Sequence, residues 1–303
     1  MTTFIQLLVY GLQLGSVYAL LALGYTMVYG IVGMINFAHG DFLMLGALGT
    51  VFLAQGFSFL MVNGTYPIAT VVLIIVIAMI CLGLLGVLVE AVAYKPLRNR
   101  PRMTALITAV GVSMFLQNFP RALPFVGPNP RPFPALFPVK QYNIGGVAIT
   151  STQIIMIALS VILMVVLYIF VNKTRMGSKL RAVSMDKEAA ALVGININLI
   201  ISLTFFIGAA LAAASGIFYA SIYPQVEVYM GSWLGTKAFI AAVLGGIGDI
   251  RGAMLGGIIM GVTEIYATAI NSNLGYAVGF IVLIVILLVK PAGIMGKFSV
   301  EKV

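Results

Sequence analysis

The chain has 303 residues, of which 61% are hydrophobic and only 8% are charged, and its mean hydropathy is +1.12. An ordinary soluble domain carries roughly 25% charged residues, so this composition excludes a water-soluble fold. The net charge of +9 does not indicate nucleic-acid binding, because the Lys and Arg residues lie in short stretches between apolar segments.

Apolar runs long enough to cross a membrane follow one another along the chain, separated by charged residues, Pro and Gly. They predict spans at 7–32, 41–61, 67–92, 103–119, 151–171, 197–222, 234–248, 252–270 and 276–290. The run 234–248 is short and glycine-rich, which fits a full span, a broken helix or half of a re-entrant hairpin. We therefore expect an all-α polytopic membrane protein with eight or nine transmembrane helices, and the side of the N-terminus depends on that count.

The positions of Lys and Arg predict the orientation of these spans, because cytoplasmic loops are enriched in both residues. Cationic residues cluster at 95–102 and 173–187, and after the last span at Lys290, Lys297 and Lys302. These regions, including the C-terminus, are expected to face the cytoplasm. The connection 120–150 then lies outside, and its many prolines predict a stiff, extended external loop.

Two parts of the chain share a pattern in which a long span is followed by a break and a helix of small residues. They are 28–49 (VYGIVGMINFAHGDFLMLGALG) and 219–246 (YASIYPQVEVYMGSWLGTKAFIAAVLGG). With nine crossings, the spans 7–32 and 197–222 run in opposite directions, so the pattern predicts an inverted repeat of the kind found in transporters. The alternative is that two glycine-rich strings align by composition alone.

The segment between the first two spans places an amide, the only histidine and a carboxylate close together, at Asn36, His39 and Asp41. Polar groups at such depth are costly unless they are paired or hydrated. They either line a translocation pathway at a broken helix, or act as a helix cap, with Asn36 and Asp41 binding backbone groups. A metal site or proton relay at His39 would need further ionisable residues on facing helices, and few exist.

The segment 173–196 differs from the rest of the chain in its charge density. Ser184 or Asp186 is expected to cap a short helix that ends at Gly194. Such a helix between two spans suits docking into a groove on a soluble partner. Alternatively, it lies on anionic lipid through Lys173, Arg175, Lys179, Arg181 and Lys187.

Few other polar residues stand out. Glu264 lies inside a predicted span, which makes it a candidate pathway or interface residue. Asp249 and Arg251 flank a turn, where they are expected to form an ion pair or a cap. The single cysteine, Cys81, can form neither a disulfide nor a cysteine metal site and is expected to be buried. An intramembrane enzyme would need a catalytic pair on facing helices, so no catalytic residue is predicted.

Four motifs carry a resemblance to a known family. They are 24–46 (GYTMVYGIVGMINFAHGDFLMLG), the loop 181–196 with its Lys-Glu-Ala-Ala core, 237–264 (KAFIAAVLGGIGDIRGAMLGGIIMGVTE) and 290–296 (KPAGIMG). In this order, they make the chain similar to the integral permease subunits of high-affinity branched-chain amino acid ABC importers. The resemblance covers nearly the whole chain and implies a single transmembrane permease domain, 1–303, in a bacterial inner membrane.

This resemblance also implies partners: a second related permease, two cytoplasmic ATPase subunits and a periplasmic substrate-binding protein, besides membrane lipid. ATP and Mg would be bound by the ATPase subunits, since this sequence has no G-x-x-x-x-G-K-[ST] phosphate loop and needs no cofactor of its own. The segment 185–194 becomes a short cytoplasmic coupling helix. The implied coupling residues are Arg181, Met185, Asp186, Lys187, Glu188, Ala189, Ala190, Leu192, Val193 and Gly194.

The expected cargo is leucine, isoleucine, valine or a similar zwitterion, although permeases for urea or short amides have the same architecture. A third hypothesis is an ion-coupled secondary transporter that acts alone. It would need conspicuous ionisable residues in mid-span, which are scarce in this sequence.

Overall fold

A computed structural model describes residues 2–62, 65–98 and 100–296, apart from the side chain of residue 102. Lys297 and Lys302, two of the cations used to predict orientation, lie outside the described residues. Eleven α-helices are present in this part of the chain: α1 (Thr2–Val32), α2 (His39–Gly56), α3 (Ile68–Val89), α4 (Arg102–Ala122), α5 (Ser151–Lys173), α6 (Arg175–Met185), α7 (Lys187–Leu192), α8 (Ile197–Ile222), α9 (Met230–Gly245), α10 (Ile250–Ile270) and α11 (Ser272–Val289).

Seven of the described helices are long and apolar enough to cross a membrane, and α3 continues through a π-helical turn at Glu90–Tyr94 and a 3₁₀ turn at Lys95–Leu97. The predicted all-α polytopic class is therefore confirmed. The helices α2 and α9 have only 18 and 16 residues and are not among the seven. The count of eight or nine spans stays a prediction.

The core is built where α1 meets α8 and α10. Residues 17–23 of α1 are completely buried, and small residues allow the backbones to touch. A Cβ atom on Gly15 would lie 2.8 Å from the Cα of Ile258, which leaves room only for hydrogen at that position. On the other side, Ser215 of α8 donates a hydrogen bond of 2.9 Å to the carbonyl oxygen of Val17.

The contacts that α1 makes with its neighbours correspond to those that α8 makes with its own neighbours. α1 packs on α10 and α9, while α8 packs on α3 and α2. Exchanging α1 with α8, α2 with α9 and α3 with α10 maps each of these contacts onto another. Contacts of Val17 with Ser215 and of Gly24 with Gly208 show that α1 and α8 are antiparallel. This is the arrangement expected of the predicted inverted repeat.

The proline-rich segment 120–150 contains three short strands: β1 (Arg131–Pro132), β2 (Gln141–Ile144) and β3 (Val147–Thr150). β2 and β3 form an antiparallel hairpin. β1 pairs with β4 (Gln225–Val226), in the connection between α8 and α9. The segment is thereby tied to the break between two helices of the core.

Candidate functional site

The break between α1 and α2 gathers the three polar residues singled out in the sequence. Asn36 is buried, and its Oδ1 accepts hydrogen bonds from the Ala38 amide at 3.1 Å and from the Tyr94 hydroxyl at 2.6 Å. His39 is the first residue of α2, and its ring packs edge-on against Tyr25, with the centroids 4.6 Å apart. Asn36 therefore binds a backbone amide just before α2, as expected, but the predicted N-cap position is occupied by Ala38.

The prediction that Asp41 caps α2 is wrong. The N-cap of α2 is Ala38, without a side-chain hydrogen bond, and Asp41 lies inside the first turn. Its Oδ1 instead accepts a hydrogen bond of 2.9 Å from Gln117 on α4. Its exposure is only 1%, so Asp41 lies in the interior of the protein. Packing of α4 against α2, which sequence spacing cannot show, decides this orientation.

Several polar atoms in this cluster lack a hydrogen-bond partner among the described residues. They are Asn36 Nδ2, His39 Nε2 and Asp41 Oδ2. Buried polar atoms without partners cost free energy, so their concentration beside one break makes this break a candidate functional site. Within the described part of the chain, no group of three or more His, Cys, Asp or Glu side chains could hold a metal ion.

The first turns of α2 and α9 touch beside this cluster. A Cβ atom on Gly231 would lie 2.6 Å from the carbonyl oxygen of Gly40, and one on Gly40 would lie 2.8 Å from the Cα of Gly235. Only glycine fits at such an approach. The two short helices that follow the two breaks therefore meet each other at their N-terminal ends.

Glu264 occupies a second buried polar site. Its Oε1 lies 2.6 Å from the ammonium of Lys237, and its Oε2 accepts a hydrogen bond of 2.9 Å from Tyr18. The ammonium also lies over the rings of Trp233 and Tyr276, at 4.9 and 5.5 Å from their centroids. Glu264 thus lies at an interface that joins α10 with α1 and α9.

Lys237 is the residue of this site that sequence reasoning missed. A signal was present, since Lys237 lies inside the predicted span 234–248 and Glu264 inside the next. A cation and a carboxylate on adjacent apolar spans are expected to pair, because either alone is costly in hydrocarbon.

The short helix predicted between two spans is present as α7. Asp186 is its N-cap and accepts hydrogen bonds from the amides of Glu188 and Ala189, at 2.9 and 3.0 Å. The helix ends before Gly194, whose φ of 80° favours glycine. Of the two predicted caps, Asp186 is therefore correct.

The ten residues implied in coupling lie on α6, on α7, at the junction between them and in the turn after α7. Ala190 is buried and holds α7 to the bundle, whereas the apolar side chains of Met185, Leu192 and Val193 are 88, 89 and 75% exposed. Arg181 is bound to the carbonyl oxygen of Val171 at the end of α5. The segment thus presents apolar side chains on a surface helix.

Lys187 connects α7 with the end of α1. Its ammonium donates a hydrogen bond of 3.1 Å to the carbonyl oxygen of Val32, the last residue of α1. Burial lowers the pKa of Lys187, and the nearby charge of Arg98 lowers it further. The start of α7 is therefore attached to the span that precedes the break at Asn36.

Two further predictions are settled by the structure. Asp249 caps α10 by accepting a hydrogen bond of 2.8 Å from the Gly252 amide, while Arg251 binds Tyr168 on α5. The prediction that Cys81 is buried is wrong, since its side chain is exposed on the surface of α3.

The family model described as branched-chain amino acid transport system / permease component matches residues 7–287. The high-affinity branched-chain amino acid transport system permease proteins LivH of Salmonella typhimurium and of Escherichia coli are each 41% identical to the chain, covering 99% of it and 98% of the relative. BraD of Pseudomonas aeruginosa, with the same description, is 40% identical over the same shares. No solved structure matches the chain significantly.

Proposed function

The chain belongs to the family of branched-chain amino acid transport permease components, and from this premise we propose that it carries branched-chain or related amino acids as part of an ABC importer. It is an integral membrane protein and a transport subunit, not an enzyme. The two names LivH and BraD, on relatives that match the chain from end to end, support this cargo.

The exposed apolar side chains at the two ends of α7, those of Met185, Leu192 and Val193, are the observation that carries the coupling proposal. Large apolar side chains on a short, capped surface helix are a recurring means of docking into a groove. The proposed occupant is one of two cytoplasmic ATPase subunits, which bind ATP and Mg. A second related permease and a periplasmic binding protein complete the proposed complex in the bacterial inner membrane, with α7 and the C-terminus on the cytoplasmic side.

The proposed translocation pathway passes the break between α1 and α2. Unpartnered polar atoms on Asn36, His39 and Asp41 support it, because groups along a hydrated route can be solvated when the route opens. Glu264 is proposed to act at the helix interface, since both of its oxygens are engaged. The attachment of Lys187 to the end of α1 provides a connection from α7 to the break.

Reconstitution of the full complex in proteoliposomes tests the proposal. Replacing Glu188 with Ala, or Gly194 with Val, is expected to leave membrane insertion intact but to separate ATP hydrolysis from uptake of leucine. Lys179→Ala, which removes an exposed charge from α6, serves as the matched control. Unaltered uptake in both variants, or uptake by the purified chain without ATPase subunits, would contradict the proposal.

A further inference from the structure

A cavity of about 620 Å³ lies behind α7. Its walls come from the end of α1, the turns that follow α3, and the start of α8. Three cationic residues line it, Lys95, Arg98 and Lys187, next to apolar side chains that include Val32, Ile195 and Ile197. We call this space the cationic cavity.

The charges of the cationic cavity are not balanced. None of its described lining residues carries a carboxylate. Glu90, which is buried, pairs with Arg98 and also accepts a hydrogen bond of 2.8 Å from Ser202. The charges of Lys95 and Lys187 remain without an acidic partner among the described residues, and Arg98 lies close enough to lower the pKa of Lys187. Bringing cations together in this way is unfavourable unless an anion lies between them.

The cationic cavity is separate from the exposed apolar side chains proposed to dock the ATPase subunit, although Lys187 also belongs to the segment implied in coupling. Lys187 and Ala191 are four residues apart, so they share one face of α7, and both line the cavity. Leu192 and Val193, which are exposed, do not line it. A ligand in the cavity would therefore contact the side of α7 that faces the helix bundle.

Both kinds of lining residue fit one class of ligand. Basic pockets between transmembrane helices on the cytoplasmic side bind anionic lipid headgroups. Apolar residues beside the cations suit the start of the acyl chains. We propose that the cationic cavity binds the phosphate group of an anionic phospholipid. The proposal depends on the cytoplasmic orientation of α7 in the proposed function, and it does not depend on the cargo.

Binding of phosphatidylglycerol to the purified full-length chain tests this site. The chain is placed in phosphatidylcholine nanodiscs with increasing fractions of phosphatidylglycerol, and retained lipid is counted by native mass spectrometry. The double variant Lys95→Gln and Lys187→Gln is expected to weaken retention about 25-fold, or about fivefold for each cation removed. Arg98 is left intact because it pairs with Glu90.

Lys173→Gln with Lys179→Gln is the matched control, since it removes two charges that do not line the cavity. This control is expected to retain the lipid, and Lys95→Arg with Lys187→Arg is expected to restore it. Equal losses in the two Gln variants, or no preference of the unaltered chain for phosphatidylglycerol, would overturn the proposal. The thermal midpoint of each variant in pure phosphatidylcholine verifies that it is folded.

Addition of inorganic phosphate distinguishes a lipid headgroup from a free phosphate as the anion that binds in the cavity. In phosphatidylcholine nanodiscs, phosphate alone is expected not to raise the thermal midpoint. A rise that disappears in the Lys95→Gln and Lys187→Gln variant would assign the cavity to a soluble phosphate and refute the lipid. Neither measurement uses ATPase subunits or cargo, so a negative result leaves the transport proposal untouched.

Discussion

Lys237 and Glu264 are 27 residues apart in the chain, yet their charged groups meet at 2.6 Å in the interior of the protein. Each side chain belongs to a residue that is only 8% exposed. Tyr18 donates to the second carboxylate oxygen, so the pair joins α9 and α10 to α1. A buried pair of this kind holds helices in one arrangement, because separating the partners would leave a charge without compensation.

Removing one partner is therefore expected to be more harmful than removing both. Glu264→Gln or Lys237→Met alone should lower the free energy of unfolding by about 3–5 kcal/mol, since each leaves an unpaired charge. The double variant Lys237→Met with Glu264→Gln should recover most of that loss. Thermal unfolding in detergent measures both effects. Single variants as stable as the unaltered chain would show that the pair does not hold the helices together.

The contact between α2 and α9 gives a second prediction. Gly40→Ala should lower stability by about 1–3 kcal/mol and reduce uptake, because the added methyl group meets the backbone of α9. Gly49→Ala is the control in the same helix. It has no other atom within 4 Å of the new Cβ, so it should be neutral or stabilising by up to about 1 kcal/mol. Similar effects at both glycines would contradict a specific contact at Gly40.

The N-cap of α7 gives a third prediction. Asp186→Ala should cost about 1 kcal/mol of helix stability, which is large for a helix of six residues. Faster hydrogen exchange at the amides of 187–192 and weaker ATP-driven uptake are expected together. Asp186→Asn keeps an oxygen acceptor and should restore both. Slow exchange in the Ala variant would show that tertiary packing through Ala190, not the cap, maintains α7.

Orientation can be measured with single cysteines, because Cys81 is the only native one. After Cys81→Ser, Met185→Cys is expected to react with an impermeant maleimide only from the cytoplasmic side, and Val139→Cys only from the outside. Both native side chains are exposed, at 88 and 72%, so the reagent can reach these positions. Labelling of both from the same side would contradict the predicted topology and the proposed docking of ATPase subunits to α7.

Local features of the site were predictable where they depend on neighbouring residues. The cap at Asp186, the end of α7 before Gly194 and the cap at Asp249 all involve groups within a few residues of each other. The role of Asp41 was not predictable in this way. Its partner, Gln117, is 76 residues away and reaches it only because α4 packs on α2.

Composition and hydropathy by themselves determined that this chain is a helical membrane protein, because uncharged runs of such length are stable only in hydrocarbon. Local polar signals also determined where the surface helix begins and ends. Tertiary structure alone decided that Asn36 meets Tyr94 and that three cations gather behind α7. Hydropathy reports whether a segment is buried in lipid or protein, but it carries no information about which faces of two distant helices come into contact.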